Sequence, residues 1–273
     1  MSVAIELALR TPVHATLDVT GLTPDRLATL GEREIAELPV FEGRSRTRVG
    51  DFFAVRGGHA AVVRIVGDLS KVDGLAEAMA GGELIIEGDA GRRVAARMSA
   101  GSVTVIGNVG DAAGASMSGG VLRISGHAGD RVGAADAGTS KGMTGGEILV
   151  ERSVGTEAAA RARRGLLVVG GDAGAHAGRA MIAGSLIVFG RTGDHAGSGN
   201  KRGSIVSIGG ISVPATYRYA CVYRPPHLRL TMTYLQRRHG LQVPEAVVAG
   251  LYRRYCGDAG DPGKGEILEW LAE

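Results

Sequence analysis

The sequence predicts an all-β solenoid: a right-handed parallel β-helix with 19-residue coils, a small N-terminal cap and a mostly helical C-terminal extension. Three observations predict it. Glycine recurs at Gly82, Gly101, Gly120, Gly146, Gly165, Gly184 and Gly203, always 19 residues apart except where seven residues around "ADAGTSK" lengthen one interval. Two and four residues after each of these glycines stand apolar columns: Leu84, Val103, Leu122, Ile148, Leu167, Leu186 and Ile205, then Ile86, Val105, Ile124, Val150, Val169 and Val188, with Ser207 as the one exception. Aromatic residues make up only 4% of 273 residues while Gly numbers 45, so a core must be packed from small and branched side chains.

The period carries the physics. Nineteen residues hold short strands and tight corners but no crossover helix, and a unit this short buries its apolar face only by stacking on its neighbours. Stacked strands lie about 4.8 Å apart, so equivalent residues form ladders. Alternation along each strand puts one face in the core. Glycine marks corners of positive φ or close backbone approach, at Gly88, Gly107, Gly126, Gly171 and Gly190, at Gly91, Gly110, Gly129, Gly174 and Gly193, and at Gly114, Gly133, Gly178 and Gly197. Met98, Met117, Met143 and Met181 form a further column that fills gaps between coils. The parallel connections are taken as right-handed by default. The same glycines do not form a phosphate loop, because neither the following helix nor the Lys is present.

Three regions follow: a cap over 1–57, the β-helix over 58–210 and a basic, mostly helical extension over 211–273. In the cap, "TPDRLATLGEREIAEL" reads as helix, with Thr23 as N-cap and Pro24 at the first helical position. "RVGDFFAVRGG" (48–58) reads as a strand leading into the first coil, whose own strand is "AVVRIVG" (61–67), with Met79 in the same early coil. After Pro214 the composition changes to Tyr and Arg. Segments 226–239 and 244–256 read as helices, the second started by Pro244, and "GDAGDPGKGEILEW" reads as a looser end.

Composition narrows function. The formal net charge is +3, which gives little support to nucleic acid as a partner. Cys221 and Cys256 fit neither a disulfide framework nor a zinc site and read as buried thiols of a cytoplasmic protein. No apolar run is long enough to span a bilayer, and "MSVAIELALRTPVH" does not read as a signal peptide. No catalytic or metal constellation stands out. His176 and His195 share a repeat position and are expected to stack about 5 Å apart, as a polar ladder rather than a metal site. Asp111, Asp130 and Asp194 share another column and read as corner caps bonding their own backbone. The insertion "GAADAGTSKG" (133–142) is expected to project as a contact face. Arg218, Arg224, Arg237, Arg238, Arg253 and Arg254 are candidates for contact with a partner or an acidic cofactor, because guanidinium groups bind carboxylates bidentately.

The repeat G-x-x-G-x-x-x-G-x-x-M-x-x-G-x-[LI]-x-V-x-G, spanning about 60–210, resembles two families. One is the β-helix domain at the C-terminus of the large subunit of glutamate synthase. The other is the C subunit of formylmethanofuran dehydrogenase, with its bacterial relative in the formyltransferase/hydrolase complex of methylotrophs. "VGDFF" (49–53) and "RRYCGDAGDPGKGEIL" (253–268) are similar to the second family, and the Arg and Ala bias favours its bacterial branch. That resemblance implies a non-catalytic scaffold subunit in one-carbon metabolism. Its partners would be amidohydrolase-like A, B and formyltransferase D subunits, and these would hold the methanofuran-type cofactor and any metals. The complex would release formate from formyl-tetrahydromethanopterin. The alternatives are a subunit of a true molybdenum or tungsten dehydrogenase, a detached glutamate-synthase-like domain, and an enzyme in its own right.

Overall fold

The computed structural model describes residues 4–260 and 263–272. The N-terminal region holds β1 (Ile5–Leu9), β2 (Leu17–Asp18), α1 (Pro24–Leu27), α2 (Glu32–Ala36), β3 (Pro39–Glu42), β4 (Ser45–Arg48), α3 (Val49–Phe52) and β5 (Phe53–Arg56). The repeats hold β6 (Val62–Val66), β7 (Val72–Asp73), β8 (Glu83–Glu87), β9 (Ser102–Ile106), β10 (Val121–Ile124), β11 (Thr144–Val150), β12 (Arg164–Val169), β13 (Ser185–Val188) and β14 (Ser204–Ser207). Then come β15 (Arg218–Tyr223), α4 (Pro226–His239), α5 (Glu245–Val248), β16 (Tyr252–Gly257) and β17 (Gly265–Trp270). The chain is mostly β, and its large sheet is mixed, in the order β15-β16-β17-β14-β13-β12-β11-β10-β9-β8-β6-β1-β5.

From β6 to β14 the pairing is parallel and follows the glycine interval. Leu84 pairs with Val103, Val103 with Leu122, Leu122 with Ile148, and the series continues through Leu167 and Leu186 to Ile205. A second parallel ladder of single bridges joins Leu69, Ala90, Val109, Ala128, Val154, Ala173, Thr192 and Ile211. A third inward column, Leu75, Val94, Ala113, Val132, Ala158, Ala177 and Ala196, is fully buried. Each repeat therefore presents apolar groups to one shared core from three places. Ser207, the polar exception, is buried and meets the Thr192 hydroxyl at 3.1 Å, so it is not left unpaired.

Side chains tie the corners to the next repeat. The Asp89 carboxylate accepts from the Asn108 amide at 2.7 Å, the Asn108 side chain from His127 at 2.8 Å, Ser153 Oγ from Asp172 at 3.0 Å and Asp172 from Arg191 at 2.7 Å. Asp111 accepts from the Asp130 amide at 2.9 Å, and Asp130 from Thr156 at 2.7 Å. These aspartates bond the following repeat rather than their own backbone.

The glycine and methionine columns have a joint cause. A Cβ on Gly120 would lie 2.4 Å from the Met98 methyl and 2.7 Å from the Gly101 carbonyl oxygen. The same relation joins Met79 to Gly101, Met117 to Gly146, Met143 to Gly165 and Met181 to Gly203. Each Met methyl occupies the space that a side chain on the next glycine would need. The Gly88 column is different: a Cβ on Gly107 would meet the Gly88 carbonyl oxygen at 2.4 Å. Positive φ is not reserved for glycine, however. Arg93, Ala95 and Arg97 have φ of +64°, +54° and +58°, and equivalent residues in other repeats do the same, including Glu157, His176 and His195. Left-handed backbone costs roughly 1–2 kcal/mol per residue. Hydrogen bonds to both neighbours hold it: the Arg93 and Arg97 amides donate to Asp111 and Ala115, and the Ala95 amide to Leu75.

The ends depart from the sequence expectation. Thr23 stands at the N-cap of a four-residue helix, but its buried hydroxyl bonds nothing. "RVGDFF" opens as α3, and β5 then runs antiparallel to β1. It is β1 that continues the parallel ladder, pairing Leu7 with Ile65. In the extension only α4 is a long helix. Of 244–256, the helix covers Glu245–Val248, and β16 begins at Tyr252 because this segment pairs with β17. The "looser" end is β17, which pairs Ile267 with Ile205 and covers the open edge of β14. Strand demand at that edge overrides the helical pattern. Within the tail motif, Asp261 and Pro262 lie outside the described residues.

Gly120→Ala is expected to cost at least ~2 kcal/mol by overpacking, and Met98→Ala about 2–5 kcal/mol by leaving a cavity. The double variant should cost less than the sum, because the truncated Met leaves room for the new methyl. Urea unfolding of the four proteins measures the coupling; additive costs would show that this contact is not the constraint.

Candidate functional site

The outward side of the sheet changes character halfway along. At one register position the strands carry Arg64, Ile85, Thr104 and Arg123, then Leu149, Val168, Ile187, Val206 and Leu268. The apolar half needs a cover, and α4 supplies it through Leu228, Met232 and Leu235. A 14-residue helix is about 21 Å long, and the four steps from β17 to β11 span about 19 Å. His227 stands 3.9 Å from Glu266 on β17, and the other end of the helix reaches β10 and β11.

That end carries a polar cluster on the outer face. The Arg123 guanidinium meets His239 Nδ1 and donates to the His239 carbonyl at 3.3 Å. His239 Nε2 lies 2.7 Å from Glu147 Oε2, and the Tyr234 hydroxyl donates to Glu147 Oε1 at 2.7 Å. A guanidinium only donates. Nδ1 is therefore the acceptor, the proton sits on Nε2, and Nε2 donates to Glu147. The bond to Glu147 raises the Tyr234 pKa. The imidazole side chain is 2% exposed and both of its nitrogens are engaged, so it has no lone pair left for a substrate or metal. The cluster fastens the helix end to the sheet. Beside it a cleft of about 410 Å³ is lined by Leu149, Val168, Phe189, Leu241, Arg123 and Glu151. None of this cluster stood out in the sequence; the signal available was the switch from Arg123 to Leu149 in one column.

The residues singled out in the sequence are spread over several surfaces. Arg253 donates to Glu269 at 3.1 Å and Arg254 faces Glu266 at 2.9 Å, so both are internally paired. Arg224 donates to the Ala249 carbonyl, while Arg218, Arg237 and Arg238 are exposed. His176 and His195 stack with centroids 5.2 Å apart and planes 15° apart. Rings this close to parallel aim their lone pairs side by side and not at a common point. Among the described residues no three His, Cys, Asp or Glu side chains are placed to hold a metal. Cys221 is exposed and Cys256 half-buried, against the expectation of two buried thiols, because both lie on strands at the open end of the sheet.

The insertion projects only in part: Ala137–Lys141 are exposed, but the residue before them is not. Asp136 is buried and folds back onto an earlier repeat, where Arg93 binds it at 2.6 Å and 3.0 Å. Arg93 and Arg97 also bind Glu77, which is 3% exposed. Four charges thus neutralise one another at a turn edge, and unpaired burial of any one would be costly.

Fold and site together define a mostly β repeat protein whose outer polar cluster positions a helix rather than a reacting group. Comparison with known proteins places it further. No protein-family model matches the chain. A chain in the crystal structure of the formyltransferase/hydrolase complex (FhcABCD) from Methylorubrum extorquens, solved in complex with methylofuran, superimposes with a TM-score of 0.91 at 30% identity, over 98% of this chain and 100% of that one. The C subunit of molybdenum-containing formylmethanofuran dehydrogenase 1 is 35% identical over 87 residues in Methanosarcina barkeri, covering 30% of this chain and 29% of the relative. The Methanothermobacter thermautotrophicus protein of that name is 36% identical over 77 residues, 28% of this chain and 19% of the relative. The matched stretch thus spans under a third of these curated relatives. The chain belongs to the family of the formylmethanofuran dehydrogenase C subunit and its counterpart in the formyltransferase/hydrolase complex. The Methylorubrum extorquens chain is part of a complex, FhcABCD, and in the present chain no described helix is long and apolar enough to cross a membrane.

Two outcomes follow. Arg123→Ala strands His239 Nδ1 without its donor, at an expected cost of about 1–3 kcal/mol. Hydrogen exchange at residues 234–239 should rise with it, and unchanged protection would show that the cluster does not hold the helix. Arg93 lowers the Asp136 pKa, so the native state binds this proton less readily than the unfolded chain. That stability is present above the unfolded value of about 3.9 and fades as pH falls through the lower native value. The stability gap between the protein and Asp136→Asn should therefore narrow below about pH 4, read from thermal unfolding at stepped pH.

Proposed function

We propose that this chain is the non-catalytic scaffold subunit of a cytoplasmic formyltransferase/hydrolase complex in one-carbon metabolism. The near-complete superposition on a chain of such a complex carries the reading. On this reading the 19-residue repeats are coils of a right-handed parallel β-helix over 58–210, capped by 1–57 and extended by 211–273. The rigid ladder offers long, regular faces to its neighbours. Formyl chemistry, release of formate from formyl-tetrahydromethanopterin through a methanofuran-type cofactor, belongs to amidohydrolase-like A, B and formyltransferase D subunits, which also hold the metals. Because Arg253 and Arg254 are engaged by glutamates, any contact with the acidic part of that cofactor falls to Arg218, Arg224, Arg237 and Arg238.

A dehydrogenase subunit is the second reading, favoured by the names of the curated relatives. Affinity purification of the chain from its native host separates the two. Three co-eluting subunits with formate release, and no activity from the chain alone, support the scaffold reading. A molybdenum- or tungsten-bearing partner with formyl oxidation favours the dehydrogenase. A chain that elutes without partners would sink both.

A further inference from the structure

The two edges of the large sheet are finished differently. At one edge β5 is four residues long, starts with buried Phe53 and is flanked by α2, whose Glu32 accepts from the Gly57 amide at 3.2 Å. At the other edge β15 is six residues long and pairs only with β16 among the described residues. Its residues from Arg218 to Val222 are exposed, with Tyr219 at 61% and Val222 at 41%. It contains no Pro, Lys or acid. Proteins blunt free edges with such residues, because a row of unpaired N–H and C=O groups is a template for another strand. Here the one departure from a regular edge is a register shift between Tyr219 and Cys221, and about 20 Å of strand, apolar after Arg218, is offered.

We propose that β15 is completed by a strand from a partner subunit, an apolar strand flanked by acidic residues, which extends the sheet by one strand. Charge selects this occupant. Arg218 and Arg224 bracket the strand, and no Asp or Glu occurs between Ile211 and Pro244. A second copy would bring Arg218 of one strand beside Arg224 or Tyr223 of the other in antiparallel pairing, and facing like charges destabilise a sheet. Carboxylates at the flanks instead form charge-assisted bonds to both guanidinium groups, while the main-chain ladder supplies affinity. The inference rests on the subunit reading and adds where the partner docks.

Cys221, at the centre of the strand, reports on it, with half-buried Cys256 as internal reference. Alkylation by iodoacetamide is followed by peptide mass in the isolated chain and in the purified complex. Cys221 should react at least tenfold more slowly in the complex, and Arg218→Glu/Arg224→Glu, both at exposed positions, should lose the partner while keeping the circular dichroism of the folded chain. An assembled complex in which Cys221 stays fully reactive overturns the proposal, as does a charge-reversed chain that assembles as tightly. Protection that grows with concentration of the chain alone means a second copy and overturns it too. If no complex forms, size exclusion shows that before any thiol is measured, and the subunit reading itself has failed.

Discussion

The constraint on which everything else depends is the approach of one repeat to the next. Strands at ladder spacing leave about 4.8 Å between equivalent atoms, and at several corners the chains come together with nothing but backbone between them. Gly107 on Gly88 and Gly126 on Gly107 leave no room for a Cβ. Once the backbones are that close, each residue has its counterpart above and below as its nearest neighbour. Hydrogen bonds, apolar columns and side-chain rungs then all inherit the same interval. The left-handed turns are a consequence and not a separate feature. Arginine, alanine and histidine accept a costly φ because their amides are bonded to the repeats on either side.

A ladder of this kind settles its interior and leaves its ends open. The N-terminal end is closed by β1 and β5, with Phe52, Phe53, Ile35 and Leu27 in the same core as the repeats. At the other end β17 returns to cover β14, and Tyr217 closes the interior. Its hydroxyl donates to the Gly197 carbonyl at 2.9 Å, and burial pushes its pKa up to about 12. The covering strands β16 and β15 then become the new edge. Capping by strand addition therefore moves the exposed edge outward instead of abolishing it.

The repeat, the two apolar columns of its strands and the stacking of His176 on His195 were legible in the sequence because each is a statement about a fixed interval. What was not legible depends on contacts between segments far apart in the chain. Nothing local in "GEILEW" marks it as the strand that pairs with Ser204–Ser207, and nothing local in "ADAGTSK" shows that Asp136 turns back to Arg93. The outer helix site was half legible. "SVTVI" in β9 alternates, whereas "GLLVV" in β12 does not. An unbroken apolar run in a parallel strand means burial on both faces, and so requires a cover that the sequence must supply elsewhere.

That cover gives the molecule a direction which the repeat alone lacks. Over β6 and β8 the outer face is hydrated, and a bidentate pair joins Arg64 to Glu87 at 2.9 Å and 2.8 Å. Over β11 to β14 it is dry and roofed by α4. The boundary falls where Arg123 takes the position that Leu149 holds in the next strand, and there the helix stops, at Gly240 with φ of +70°. Helix length and the number of apolar strands are therefore set together. One more apolar strand would lie bare beyond His239, and one fewer would leave Leu235 over charge. Burial of each large apolar side chain contributes roughly 1.5–3 kcal/mol, so the register between α4 and the sheet is held by several such terms at once. The Arg123–His239–Glu147 cluster fixes where it ends.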